Sequence, residues 1–317
     1  MEKPLRKHVI IASVLSGVIF VGVVLSFYRF SKIDASQQDW MGKVPDTAAL
    51  SELSIPGSHD SGAFYSFADV AGKCQDASID EQLSYGVRFF DVRLRNESNS
   101  LNVYHGFINE GLSFDSLLSP MYSFLKAHSS ECLLLSIKEE CLAQNTLKTF
   151  DALVKETVDA NPSYWLTSRT LPATLKAARG KIILLSRYPG NTIGVDAKPA
   201  DWLDPKEASS SNTFTIDNNA QKIRIQDHYM LLDNETKWSE ASALLDEAAA
   251  SVDKSVLYLN FFSGYLTKGF PPSYSVSTAK YINPRLLKEL PASHKGVLIV
   301  DFVTKDLVAK LLEDNPS

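Results

Sequence analysis

Two histidines stand where apolar stretches give way to turn residues. Leu53-Ser54-Ile55-Pro56-Gly57-Ser58-His59-Asp60-Ser61-Gly62 is a short apolar run broken by Pro-Gly and followed at once by a His-Asp pair. Tyr104-His105-Gly106 closes a second run in the same way. Pro and Gly stop a strand, which sets the imidazole of His59 at the strand's C-terminal lip rather than inside a core. An imidazole titrates close to neutral pH, so two of them converging on one substrate can serve as a base and an acid. Arg93, Lys138, Arg187, Asp227 and Asp301 share this setting, each at or just past the end of a different apolar run.

The elements that must position these residues can be read from pattern. Apolar, β-rich runs fall at 53–58, 87–93, 101–105, 132–138, 182–185, 223–226, 256–262 and 296–300. Helical patterns lie between most of them. Ser78-Ile79-Asp80-Glu81 is a capping box opening a helix that Gly86 stops. Residues 114–127 carry Leu117, Leu118, Met121, Phe124 and Leu125 on one face. Further helices are predicted over 145–159, 238–251 and 304–313, with a short one capped by Asn283-Pro284. Residues 190–220, rich in Asn, Asp, Ser and Pro, read as a long loop. Eight strands alternating with helices predict an α/β fold, an irregular (β/α)8 TIM-type barrel in which the step near 95–100 lacks its helix. In such a barrel the C-terminal strand ends open on one face, where the loops build a site.

The composition is that of a globular protein: 317 residues, 44% hydrophobic and 22% charged. A net charge of −5 argues against a nucleic-acid binder. There is no zinc-type Cys/His spacing, no phosphate-cradling glycine loop and no internal repeat. Cys74, Cys132 and Cys141 are too few for a disulfide scaffold; a Cys132–Cys141 bridge or one involving Cys74 stays open, and the odd count leaves a thiol unpaired. Residues 9–28 are uncharged and dominated by Ile, Val, Leu and Phe, long enough to span a bilayer core. Lys3, Arg6 and Lys7 precede them and Arg29 and Lys32 follow. With no short apolar region and cleavage site evident, residues 1–30 are expected to form a signal anchor, N-terminus in the cytoplasm and catalytic bulk outside; if the segment is cleaved, the domain is secreted. A polar tether over 31–47 and a domain over 48–317 complete the organisation.

Seven stretches, in order, resemble the catalytic X domain of phosphatidylinositol-specific phospholipase C in its bacterial-type, single-domain form. They are Ile55-Pro56-Gly57-Ser58-His59-Asp60-Ser61, Gly86-Val87-Arg88-Phe89-Phe90-Asp91-Val92-Arg93, Tyr104-His105-Gly106, Leu135-Ser136-Ile137-Lys138, Gly180-Lys181-Ile182-Ile183-Leu184-Leu185-Ser186-Arg187, Ile225-Gln226-Asp227-His228-Tyr229 and Val300-Asp301. The resemblance implies a lyase-type reaction in which the inositol 2-hydroxyl attacks the phosphorus, diacylglycerol leaves and a cyclic inositol phosphate forms. It implies His59 as general base, oriented by Asp301, and His105 as general acid, partnered by Asp60. Arg93 is implied to face the phosphate, Lys138, Arg187 and Asp227 to bind inositol hydroxyls, and Tyr229 to lie against the inositol ring. Calcium-binding eukaryotic members carry an Asn and an acidic residue where this chain has Asp60 and Arg93, so the resemblance implies no metal and no cofactor. Ser58 stands where Thr is commoner, and Leu94 where bacterial forms often have Gly.

The expected partners are a membrane phosphoinositide and the membrane surface presenting it, without nucleic acid, and the chain is expected to act as a monomer. Phosphatidylinositol and its glycan-linked form are both compatible. Phe261, Phe262, Tyr265, Phe270 and Tyr274, among Gly and Pro residues, form a segment able to meet that surface if exposed. The competing functions are a catalytically silent lipid-binding X domain and another barrel phosphodiesterase, such as a glycerophosphodiester phosphodiesterase. The latter needs an acidic metal cluster where this chain places Arg and Lys.

Overall fold

The computed structural model describes residues 35–65, 72–197, 200–202, 204–218, 221–268 and 274–315. The chain divides into a unit Met1–Ser36, of which only the last two residues are described, and a unit Gln37–Ser317 that carries the fold. The expected membrane helix falls on residues outside those described. Among the described residues no helix is long and apolar enough to cross a membrane.

The strands are β1 Ser54–Ser58, β2 Phe89–Glu97, β3 Ser100–His105, β4 Ile108–Ser113, β5 Leu133–Glu139, β6 Trp165–Leu166, β7 Ile182–Arg187, β8 Val195–Asp196, β9 Thr213–Asp217, β10 Lys222–Gln226, β11 Met230–Leu231, β12 Val256–Phe261, β13 Tyr265–Leu266 and β14 Gly296–Val300. One curled sheet runs β6-β7-β5-β2-β1-β14-β12-β10-β9. Neighbours from β6 to β10 are parallel, and β9 is antiparallel to β10. β3 and β4 hang from β2 as an antiparallel meander.

This departs from the eight-stranded closed barrel expected from pattern. The run at 101–105 is not a wall strand, because the two-residue reversal at Ser98-Asn99, both with positive φ, folds it straight back onto β2. Among the described residues no strand pairing joins the β6–β8 end to β9, so the wall is open there. The segment expected as a loop at 190–220 carries strands among its described residues. It contributes β8 and β9 and places Trp202 against the rings of Phe214 and Phe261.

Period-two alternation sorts each wall strand into two faces. Ile55, Phe89, Leu134, Ile183, Leu185, Ile223, Ile225, Leu257, Leu259, Val297 and Ile299 share the core inside the curve. Phe90, Val92, Leu133, Leu135, Ile137, Leu184, Leu298 and Val300 pack outward with the helices Phe114–Ala127, Phe150–Ala160, Asn234–Ala250 and Lys305–Leu312. On β2 the parity that puts Phe89 inside also turns Asp91 and Arg93 inward. The same parity carries His59, Lys138, Arg187, Asp227 and Asp301 inward at the C-terminal ends of their strands.

Pro56 and Gly57 lie inside β1 rather than ending it. Gly57 is needed for the close approach of its neighbours, since a Cβ there would stand 3.0 Å from Ile299 and 3.2 Å from Phe89. The stretch 37–47, expected as part of a polar tether, is packed. Trp40, Met41 and Val44 join the inner core, Trp40 Nε1 donates to the Gly86 carbonyl at 3.0 Å, and Arg179 donates to the carbonyls of Met41 and Val44. The wholly buried Arg88–Glu131 pair (2.9 Å) completes this plug at the N-terminal strand ends. The helix expected to begin at Asn283-Pro284 instead spans Ser275–Glu289 with Pro284 inside it. Burial of Thr278, Ala279, Ile282 and Leu286 outweighs the roughly 3 kcal/mol an internal proline costs. All three cysteines are free thiols.

Candidate active site

The inward polar residues surround a cavity of about 380 Å³ at the C-terminal strand ends. His59, Arg93, His105, Lys138, Glu140, Arg187, Asp204, Tyr229 and Asp301 all line it.

His59 extends β1, and its Nδ1 lies 2.7 Å from Asp301 Oδ1 at the end of the adjacent β14. A carboxylate only accepts, so the ring proton sits on Nδ1. Nε2 then offers its lone pair, and the Arg93 guanidinium donates to it at 2.9 Å. Burial, the largest influence, and Arg93 lower the imidazole's pKa, but the Asp301 carboxylate with help from Asp60 outweighs them, so His59 is held above its usual value. Gln75 stitches the two strand ends together: its Nε2 donates to the carbonyls of His59 (2.7 Å) and Val300 (3.0 Å), and its Oε1 accepts from Val303 N (3.0 Å).

Arg93 is fixed by carboxylates on three sides. Asp91 Oδ2 lies at 3.2 Å and Asp60 Oδ2 at 3.5 Å from its Nε, and Glu140 Oε1 at 3.4 Å from Nη1. Burial opposes ionisation of Asp91 and Glu140, yet Arg93, joined by His59 and Arg187 at Asp91 and by Lys138 at Glu140, outweighs it and holds each down to about 2. Glu140 also pairs with Lys138 Nζ at 2.9 Å. Asp60 has a left-handed backbone (φ 43°), which aims its carboxylate between Arg93 and His105 Nε2, 3.6 Å away. For Asp60 burial prevails over Arg93 and His105 and raises its pKa. His105 Nδ1 donates to the Gly72 carbonyl at 2.8 Å, leaving Nε2 toward Asp60.

On the far wall Arg187 pairs with Asp227 at 3.2 Å and lies 3.7 Å over the Trp202 ring. Trp202 Nε1 donates to the same Asp227 oxygen at 2.9 Å. Asp227 does not itself line the cavity; it holds Arg187, which does. Tyr229, hydrogen-bonded to Asp204, faces the cavity beside Tyr265. Of the aromatic residues expected at a membrane-facing segment, Tyr265 and Tyr274 line the cavity. Phe261 and Phe262 are instead buried, Phe261 inside the curve of the sheet and Phe262 against Trp238. Phe270 lies outside the described residues.

Among the described residues one trio could approach a metal, His59, Asp60 and Cys74. The guanidinium of Arg93 already stands against both His59 Nε2 and Asp60 Oδ2, and burial keeps the Cys74 thiol protonated. The residues fit a fixed internal cation better than a bound one.

Asp91, Glu140, Gln75, Asp204 and Trp202 are not among the residues that pattern singles out. The first two are within its reach, since Asp91 is two residues before Arg93 and Glu140 two after Lys138, on the same strand face. Gln75, Asp204 and Trp202 come from irregular segments whose sequence carries no such signal.

Residues 47–188 match the family described as Phosphatidylinositol-specific phospholipase C, X domain. The chain is 30% identical over 320 residues to the 1-phosphatidylinositol phosphodiesterase of Staphylococcus aureus, covering 94% of this chain and 95% of that protein. It is 28% identical over 297 residues to the enzyme of the same name from Listeria monocytogenes, covering 90% and 87%. A solved structure of the S. aureus phosphatidylinositol-specific phospholipase C superposes with a TM-score of 0.77 at 29% identity, covering 89% of this chain and 99% of that one. The L. monocytogenes structure gives 0.68 at 25% identity, covering 88% and 98%.

Proposed function

The chain belongs to the phosphatidylinositol-specific phospholipase C family, and we propose that it cleaves phosphatidylinositol, or its glycan-linked form, to diacylglycerol and inositol 1,2-cyclic phosphate. The observation that carries the reading is the His59–Asp301 dyad facing Arg93, with His105 across the same cavity.

His59 Nε2 takes the proton of the inositol 2-hydroxyl, whose oxygen attacks the phosphorus. The P–O bond to glycerol breaks, and His105 Nε2 delivers a proton to the departing oxygen. His105 donates from Nδ1 to Gly72, so a second proton on Nε2 makes it an imidazolium, which faces the Asp60 carboxylate at 3.6 Å. Asp301 sets the His59 tautomer and stabilises the imidazolium that forms there. Arg93 occupies the lone pair that His59 must free for catalysis. A substrate phosphate draws the guanidinium toward its non-bridging oxygens, so binding both neutralises the phosphate and releases the base. Lys138, Arg187 and Tyr229 form the headgroup wall, with Asp227 acting through Arg187. The reaction draws on no metal, since Arg93 supplies the positive charge.

The exposed Phe107, in the two-residue turn beside His105, supports approach to a lipid surface. The uncharged run 9–28 supports an N-terminal membrane anchor with the catalytic domain beyond it.

The test incubates the full-length chain with phosphatidylinositol vesicles, with and without a chelator, and follows the cyclic product by phosphorus NMR. Chelator-resistant cyclic product that disappears in His59→Ala is expected. Product lost on chelation overturns the role given to Arg93, and no product under either condition overturns the activity.

A further inference from the structure

A lysine is rarely wholly buried without a carboxylate directly on it. Lys237, on the helix Asn234–Ala250, has no exposure and donates to two neutral oxygens, Gln226 Oε1 at 3.2 Å and the His228 carbonyl at 2.8 Å. One helical turn on, Glu240 Oε2 accepts from His228 Nδ1 at 3.0 Å and from Gln226 Nε2 at 3.4 Å. Lys237 and Glu240 thus grip residues 226 and 228 from outside the wall. Residue 227, between them, points the other way, where Asp227 holds Arg187 and Trp202. Tyr229 follows and faces the cavity. The charges around the ammonium are Asp227 from the wall, Glu240 from its own helix and Asp301 from the end of β14, and burial outweighs them to bring Lys237 down to about 8.

We propose that Lys237, with Glu240, is a positioning residue for headgroup binding: it locks residues 226–228 so that Arg187 and Tyr229 are held in place for the inositol. The inference rests on the reading of the cavity as an inositol site. A buried ammonium is costly unless it is hydrogen-bonded, and both bonds that Lys237 makes fall on residues 226 and 228.

The full-length chain and its Lys237→Met variant are assayed on monomeric dihexanoyl phosphatidylinositol, which separates headgroup binding from binding to a surface. Glu240→Ala, at a partly exposed position, serves if the methionine variant does not fold. The expected result is a rise in KM of about tenfold, the equivalent of ~1.4 kcal/mol, with kcat held within about twofold and faster amide exchange over 226–231. A fall in kcat at constant KM, or unchanged KM and exchange, overturns the proposal. Faster exchange in a variant whose parent cleaves no phosphatidylinositol overturns the inositol reading and leaves the clamp standing.

Discussion

Replacing Asp301 by Asn separates orientation from charge in the dyad. Asn keeps the shape and can present its carbonyl to His59 Nδ1–H, so the tautomer that leaves Nε2 free survives. Its amide then occupies the place of Asp301 Oδ2, which has no hydrogen-bond partner among the described residues. What is lost is the negative charge. Burial and Arg93 both lower the pKa of His59, and Asp301 is the largest influence raising it. With Asn in its place the balance reverses, and His59 falls below its usual value and becomes a weak base. General-base catalysis contributes about 10²–10⁴, so kcat/KM on dihexanoyl phosphatidylinositol should drop by about 10³ at pH 7. The acid limb of the pH profile should move to lower pH, as a base that is easier to deprotonate requires.

Stability moves with it. A histidine whose folded pKa is raised contributes stability that is fully present below its unfolded pKa and is lost as pH rises through the folded one. The stability gap between the parent and Asp301→Asn should therefore be wider at pH 5 than at pH 9, as measured by urea denaturation. A variant within tenfold of the parent at pH 7 and with an unmoved acid limb would refute the assignment of Asp301.

Gln75→Glu sets a carboxylate against the two carbonyls that Nε2 now joins, misplacing the His59–Asp301 pair; kcat should fall about 10- to 100-fold with little change in KM, as steady-state kinetics will show. Phe107→Ser should weaken binding to phosphatidylinositol vesicles by about tenfold in a sedimentation assay, while activity on the monomeric short-chain lipid stays unchanged. Glu110, buried on β4, is pushed up to about 7 by burial and then by Asp60. Its folded pKa is raised, so its contribution is present below its usual value and lost as pH rises toward 7. Glu110→Gln should therefore raise the melting temperature by about 3 °C at pH 8 and change it little at pH 4.

The strand ends were legible because alternation is a local signal: the parity that buries Phe89 also decides where Arg93 points. The number of wall strands was not legible, because the positive-φ pair Ser98-Asn99 folds the run at 101–105 back onto β2 and out of the wall. The place of Trp202 was hidden as well, since it reaches the site from a segment with no periodicity. The misread tether shows a different limit. The stretch 37–47 looks solvated until Arg88, Glu131 and Arg179, distant in sequence, supply partners for its backbone and let Trp40, Met41 and Val44 pack.

That limit applies most strongly to the support of the catalytic groups. Histidines and arginine announce themselves by chemistry, but their geometry is set by groups that do no chemistry. On the mechanism proposed above, Arg93 can stand in for a metal because Asp60, Asp91 and Glu140 fix its guanidinium. A guanidinium so compensated presents little net charge until a phosphate arrives, and the same approach that engages it uncovers His59 Nε2. On that proposal base activation and phosphate recognition are one event. An arginine freed from its carboxylates would bind phosphate more tightly at rest but would no longer couple binding to release of the base. The proposed mechanism therefore needs the three carboxylates as fully as the residues it places against substrate.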